Sequence, residues 1–169
     1  QREAGIAVMI TVAPEAATPA QISELSGLGA VVSIGHSDST AAQTQQSLAA
    51  GARCFTHLFN AMSQMVNRAP GVTGAAINSD AYAGFICDGK HVADEMLALA
   101  IRARPVADRM FLVSDAMPTV GGPDQFEIYG QIISLRDGQL VNQEGSLAGA
   151  HVTQLEGVAR LVSKLGISP

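Results

Sequence analysis

Val31-Val32-Ser33-Ile34-Gly35-His36-Ser37-Asp38 and Cys54-Phe55-Thr56-His57-Leu58-Phe59-Asn60 decide how this 169-residue chain is read. Each begins as a short apolar run of strand-forming residues and passes into a polar cluster that holds a histidine. Working outward, runs of the same kind stand at Ile6 to Val12, Ala30 to Ile34, Cys54 to Leu58, Ala83 to Cys87 and Met110 to Val113. A helical stretch follows each, and that alternation points to βα units around a parallel sheet, with five strands predicted.

The intervening segments carry helix punctuation. Thr18, Pro19 and Gln21 fit an N-cap, a first-turn proline and a capping box. Ala41 to Ala50 closes at Gly51 and Ala93 to Ala103 closes before Pro105, so both read as crossover helices. Leu155, Val158, Leu161, Val162 and Leu165 lie at helical spacing and predict a terminal helix that packs through that face. Phe126 to Val141 interrupts the alternation, and Tyr129-Gly130 and Asp137-Gly138 mark it as an inserted β-hairpin. No internal repeat or low-complexity segment is present.

Composition narrows the function classes. With 47% hydrophobic and 15% charged residues the chain reads as an ordinary globular domain. A net charge of -5 without a basic run leaves no electrostatic footprint for nucleic acid. No stretch approaches the roughly 20 apolar residues that span a membrane. Cys54 and Cys87, each inside an apolar run, read as buried free thiols in a reducing compartment. Gln1-Arg2-Glu3 shows neither an initiator methionine nor a targeting pattern, and the chain stops shortly after the helix-ending Gly166. The expectation is a fragment of a cytoplasmic protein, with further chain on both sides.

The chemically capable residues follow the strand-like runs. In a TIM barrel the active site is assembled at the C-terminal ends of the strands, so residues at those ends are the catalytic candidates. His36 and His57, one βα unit apart, are placed either as two imidazoles for one metal ion or as a pair of satisfied core histidines. Asp88-Gly89-Lys90 leads to His91, and Phe111-Leu112-Val113-Ser114 leads to Asp115. An aspartate closing a strand beside a metal can take a proton from water and deliver it to a leaving amine; it can equally serve as an N-cap or order a loop. Arg68 is one of few cations near these residues and suits either an anionic ligand or a solvated loop. Leu147 and Ala148 lie in a glycine-flanked loop that permits close backbone approach or is simply structural.

Thr56-His57-Leu58-Phe59-Asn60-Ala61-Met62 resembles the Thr-His-Leu-(aromatic)-Asn-Ala-Met motif of the N-acetylglucosamine-6-phosphate deacetylases, which are amidohydrolases. Ala13-Pro14-Glu15, Gly35-His36-Ser37, Arg68-Ala69-Pro70-Gly71, Asp88-Gly89-Lys90-His91, Val113-Ser114-Asp115-Ala116 and Gly145-Ser146-Leu147-Ala148-Gly149 resemble the family's other motifs, in its order and at similar spacing. The resemblance covers essentially the whole chain. It implies the C-terminal part, over residues 1–169, of a (β/α)8 barrel, with the early strands and a small accessory β-domain absent.

It also implies roles. His36 and His57 correspond to ligands of a divalent metal, usually zinc, although two histidines and an aspartate also suit iron, cobalt or manganese. Asp115 corresponds to the catalytic acid and base. His91 matches the histidine that polarises the acetyl carbonyl. Asn60, with the backbone of Ala61, matches part of the sugar-phosphate site, and Leu147 and Ala148 match the loop that approaches the substrate. Arg68 matches an arginine that reaches the neighbouring subunit's substrate phosphate, which implies a homodimer. The implied reaction is hydrolysis of N-acetylglucosamine 6-phosphate to glucosamine 6-phosphate and acetate.

The sequence departs from the family in one respect. The family completes its metal site with a glutamate in a His-Leu-Glu-Gly-Pro-like segment, and none occurs here. Glu15 lies in a different family segment and is not assigned as a ligand, so the metal should be held weakly by two histidines alone. His151 matches no catalytic position and is expected at a helix start. Two other readings are a different amidohydrolase, whose unphosphorylated substrate has no use for Asn60 and Arg68, and a non-catalytic sugar-phosphate-binding module.

Overall fold

The computed structural model describes residues 5–168, and in it the alternation resolves into a five-stranded sheet in sequential order. The strands are β1 (Met9–Val12), β2 (Val31–Ile34), β3 (Cys54–Phe55), β4 (Tyr82–Phe85) and β5 (Met110–Leu112). β1, β2, β3 and β4 pair in parallel, in registers that place Thr11 beside Ser33, Ser33 beside Cys54 and Cys54 beside Tyr82. Between them run α1 (Pro19–Gly27), α2 (Ala41–Ala49), α3 (Gly71–Ile77) and α4 (Asp94–Ala103). The predicted α/β class and parallel sheet therefore stand, while the five strands form an open row and do not close into a barrel.

The caps explain where the helices start. Thr18 and Thr40 each accept from the backbone N–H three residues on, at Gln21 and Gln43, while those glutamine side chains bond back to the cap. These reciprocal bonds satisfy N–H groups that the first helical turn leaves without partners.

Two compact units divide the chain: residues up to Phe85 with Ala98–Phe111, and Ile86–Leu97 with Leu112 onward. The first unit's core is built on Ile22, Val32, Ile34, Phe55, Leu58 and Val72, each fully buried. In the second, Ile86, Ala150 and Val152 pack with the half-buried Val113. Cys54 and Cys87 are buried free thiols as predicted, and burial pushes both above the usual thiol range.

Several expectations need correction. The segment read as a hairpin is a three-stranded antiparallel sheet of β6 (Gln125–Ile128), β7 (Gln131–Arg136) and β8 (Gln139–Val141). Each of the two turn signals closes its own two-residue loop, with positive φ at Tyr129, Gly130, Asp137 and Gly138 as a type I′ turn requires. The run read as a strand to Leu58 ends at Phe55, because His57, Phe59 and Ala61 have positive φ and cannot continue extended backbone. α3 was not foreseen. Its small residues pack closely, and it is buried along its length.

The terminal helix α5 (Gln154–Leu165) has the predicted stop at a left-handed Gly166, and it starts from a Thr153 capping box that the sequence reading had not identified. Its packed side differs from the prediction: Leu155 is 77% exposed, whereas Gly157 is buried against Leu112. A residue without a side chain lets the helix approach there, and that contact sets its rotation. His151 is not at the helix start. It precedes the Thr153 cap and its Nδ1 lies 3.0 Å from the Thr119 hydroxyl.

Candidate active site

In the first unit, the ends of neighbouring parallel strands bring the two predicted metal ligands together. The Nε2 atoms of His36 and His57 lie 2.9 Å apart, with the rings edge-on at 70°. His36 is exposed and His57 is buried. Both backbones are left-handed, at φ 50° and 33°, conformations that non-glycine residues adopt only when their surroundings impose them. Among the described residues, seven non-glycine positions have positive φ; two belong to the β6–β8 turns, and the other five are His36, His57, Phe59, Ala61 and Asp115. Four of those five were singled out from sequence as site residues, so the strain collects where the chemistry was predicted.

Hydroxyl side chains hold this geometry. Gly35 precedes His36, and a Cβ there would come within 2.8 Å of the Thr56 Cβ, so only glycine fits between the strands. The Thr56 hydroxyl, directly after β3, bonds those of Thr11 in β1 at 2.9 Å and Ser33 in β2 at 2.7 Å. Past His36, the Ser37 hydroxyl donates to Glu15 at 2.6 Å and the Asp38 N–H donates to the same carboxylate at 2.8 Å. Partial burial works to raise the Glu15 pKa, but these donors outweigh it and hold it below the usual range. The Ser63 hydroxyl donates to the Ser39 carbonyl at 2.6 Å and accepts from the Val72 N–H at 2.8 Å, tying α3 to the loop after β2.

The remaining predicted residues of this unit lie in the loop after β3. The Ala61 carbonyl accepts from the Ser37 N–H at 2.9 Å. The Asn60 amide donates to the carbonyls of His57 and Leu58 at 3.3 and 3.4 Å, so it is turned toward its own loop. Arg68 is exposed in a tight loop closed by reciprocal Val66 and Ala69 backbone bonds. It lines a cavity of about 410 Å³ with Asp38, Thr40, Ser63 and Gln64.

In the second unit, His91 is the most constrained candidate. Its Nδ1 lies 2.7 Å from Asp88 Oδ2, with both side chains nearly buried, and Asp88 Oδ1 accepts the N–H groups of Lys90 and His91. The bond to Asp88 raises the His91 pKa against the opposing effect of burial, helped by the charges of Asp88 and Asp115 and by a backbone bond to Gly149. Burial acts to raise Asp88 as well, but the His91 bond and the two N–H donors pull it down to about 2.

Asp115 follows β5 with an exposed side chain and φ 52°. Its carbonyl accepts from the Ala150 N–H at 2.9 Å, and no helix begins there, so the N-cap alternative does not apply. Ala148 donates its N–H to the Leu140 carbonyl and Leu147 bridges Val141, so this loop extends the β6–β8 sheet.

Comparison with known proteins identifies the family. An N-acetylgalactosamine-6-phosphate deacetylase of Shewanella sp. (strain ANA-3) is 38% identical over 163 residues, covering 94% of this chain and 41% of its own. The N-acetylglucosamine-6-phosphate deacetylase of Haemophilus influenzae is 31% identical over 94% of the chain and 42% of its own. The crystal structure of the N-acetylglucosamine-6-phosphate deacetylase from Pasteurella multocida superposes with a TM-score of 0.92 at 37% identity, over 99% of this chain and 44% of that one. The chain belongs to the N-acetylglucosamine-6-phosphate deacetylase family. No general family model matches it.

A further deacetylase structure, a Mycobacterium smegmatis variant in complex with N-acetyl-D-glucosamine-6-phosphate, aligns at a TM-score of 0.88 and 30% identity, over 95% of this chain and 43% of that one. The chain thus spans about two-fifths of the length of the deacetylases it matches. Within that span, sequence reading missed Glu15, Ser37, Ser63 and Thr56 as positioning residues. Runs of hydroxyl residues directly after strand ends, as in Ser37-Asp38-Ser39-Thr40, were the available signal.

Proposed function

We propose that this chain carries the deacetylation chemistry of its family: hydrolysis of the acetamide of N-acetylglucosamine 6-phosphate, giving glucosamine 6-phosphate and acetate in the cytoplasm. On this reading the five strands of the sheet are successive strands of a (β/α)8 barrel. The observation that carries the proposal is the convergence of His36 and His57 within the family's motifs.

The pair fits a divalent metal, with zinc preferred. Metal–imidazole bonds of about 2.0–2.1 Å at a tetrahedral angle set two ligand nitrogens about 3.3 Å apart, a slightly wider separation than the observed 2.9 Å. Among the described residues no third His, Cys, Asp or Glu joins them. His36 and His57 would hold the metal, which when bound supplies Lewis acidity and lowers the pKa of a water molecule. Asp115 takes the proton from the attacking water and returns it to the departing nitrogen as the C–N bond breaks. His91, its ring oriented by the Nδ1 bond to Asp88, donates toward the acetyl oxygen as negative charge builds there. Asn60, whose amide rests on its own loop, would turn outward to join the Ala61 backbone at the sugar phosphate, Arg68 reaches the phosphate across a homodimer, and Leu147 and Ala148 border the substrate.

The Shewanella relative favours a second substrate, the galactosamine epimer, for the same chemistry. The test is acetate release from both 6-phosphates by the full chain, with metal content measured on wild type and His36→Ala. The proposal requires acetate from at least one epimer and loss of both metal and activity in the variant. Full activity without metal binding would overturn it.

A further inference from the structure

The loop that presents His91 is braced from two sides by residues far along the chain. Gly89 lies between Asp88 and His91 at φ +69°, and a Cβ added there would collide with the Arg160 guanidinium. That guanidinium is itself fixed: its Nε and Nη2 donate to the two carboxylate oxygens of Asp94, each at 2.8 Å. On the other flank the Lys90 ammonium donates to the Asp137 carbonyl at 3.1 Å, in the turn between β7 and β8. A bidentate pair holds the planar fork in one orientation, which a lone ammonium cannot do.

We infer that Arg160 is a positioning residue for His91: clamped by Asp94, its guanidinium backs Gly89 and holds the 88–91 loop so that Asp88 captures the imidazole. The glycine is part of the same device, because any side chain at position 89 would displace the fork. Only the consequence for turnover rests on the proposed role of His91 in deacetylation; the bracing of the loop does not.

Charge and positioning predict opposite signs, which makes the inference testable. The groups facing His91 are Asp88, Asp115 and the Gly149 backbone, and the Arg160 charge acts on Asp88 as well. Removing a nearby cation by charge alone would raise the His91 pKa. Releasing the loop weakens the Asp88–His91 bond and lowers it.

The experiment is an NMR titration of the His91 ring in the full chain, for wild type, Arg160→Ala, Arg160→Gln and Arg160→Lys. The midpoint should fall by about one pH unit in the alanine and glutamine variants. It should fall by less in the lysine variant, which keeps the charge and loses the fork. A midpoint that is unchanged or raised in the folded variants overturns the inference; if Arg160→Ala does not fold, the glutamine and lysine variants decide. Acetate release measured in parallel separates the two claims. A titration that shifts as predicted in a protein without deacetylase activity defeats the functional proposal and leaves the positioning role standing.

Discussion

At the scale of single residues the Asp88–His91 pair gives the clearest pH dependence. Asp88 has a depressed folded pKa, so its contribution to stability is present above its unfolded value near 4 and is lost as pH falls toward about 2. His91 has a raised folded pKa, so its contribution is complete below its unfolded value near 6.5 and is lost as pH rises through the folded one. Both shifts describe one interaction, which is complete only between about pH 4 and 6.5. Denaturant unfolding of wild type and Asp88→Asn should therefore differ most inside that window and converge outside it; a pH-independent difference would contradict the pairing. Asp115→Asn should retain metal and lose about 10²- to 10⁴-fold in turnover. Because its carbonyl already anchors the loop to Ala150, the substitution leaves that backbone bond intact, and near-normal turnover would remove Asp115 from the mechanism.

At the scale of elements, Gly35 makes the link between sheet and site testable. Gly35→Ala drives a methyl group against Thr56, and the strands must part or His36 must move. Overpacking of this kind costs about 1–3 kcal/mol, so thermal unfolding should show a clear drop in melting temperature together with lower metal content. Unchanged metal binding would show that the His36 backbone is set elsewhere. What was legible in the sequence follows the same division between elements. Strands and helices were readable because apolar runs, the Thr18-x-x-Gln21 box and glycine or proline stops are local signals, and the catalytic candidates were readable because they fall at strand ends. α3 was not, since Gly71-Val72-Thr73-Gly74 carries two glycines and its start is fixed by Ser63 through a tertiary bond. The third strand of the inserted sheet was missed because both turn signals were credited to a single hairpin. Glu15 was passed over because its partners, Ser37 and Asp38, lie more than 20 residues away.

At the scale of the whole molecule the chain is two compact units, each with its own share of the candidate residues: His36, His57, Asn60, Ala61 and Arg68 in one, His91, Asp115, Leu147 and Ala148 in the other. No helix among the described residues is long and apolar enough to cross a membrane. The sugar-phosphate assignment belongs to this scale, because it depends on an anion site that an acidic chain with net charge -5 must supply locally. Arg68→Ala should raise KM for the phosphorylated sugar by about 10-fold or more, the worth of a charge-assisted hydrogen bond, and leave the unphosphorylated sugar unaffected. Equal losses on both sugars would assign Arg68 to folding. The most direct measurement of the central claim is acetate release by the metal-loaded full chain from N-acetylglucosamine 6-phosphate and from N-acetylglucosamine at equal concentration. Hydrolysis of the phosphorylated sugar at least about tenfold faster, abolished by a chelator and restored by a divalent metal, is the predicted result. Equal rates on the two sugars, or no acetate from either while metal is bound, would contradict it.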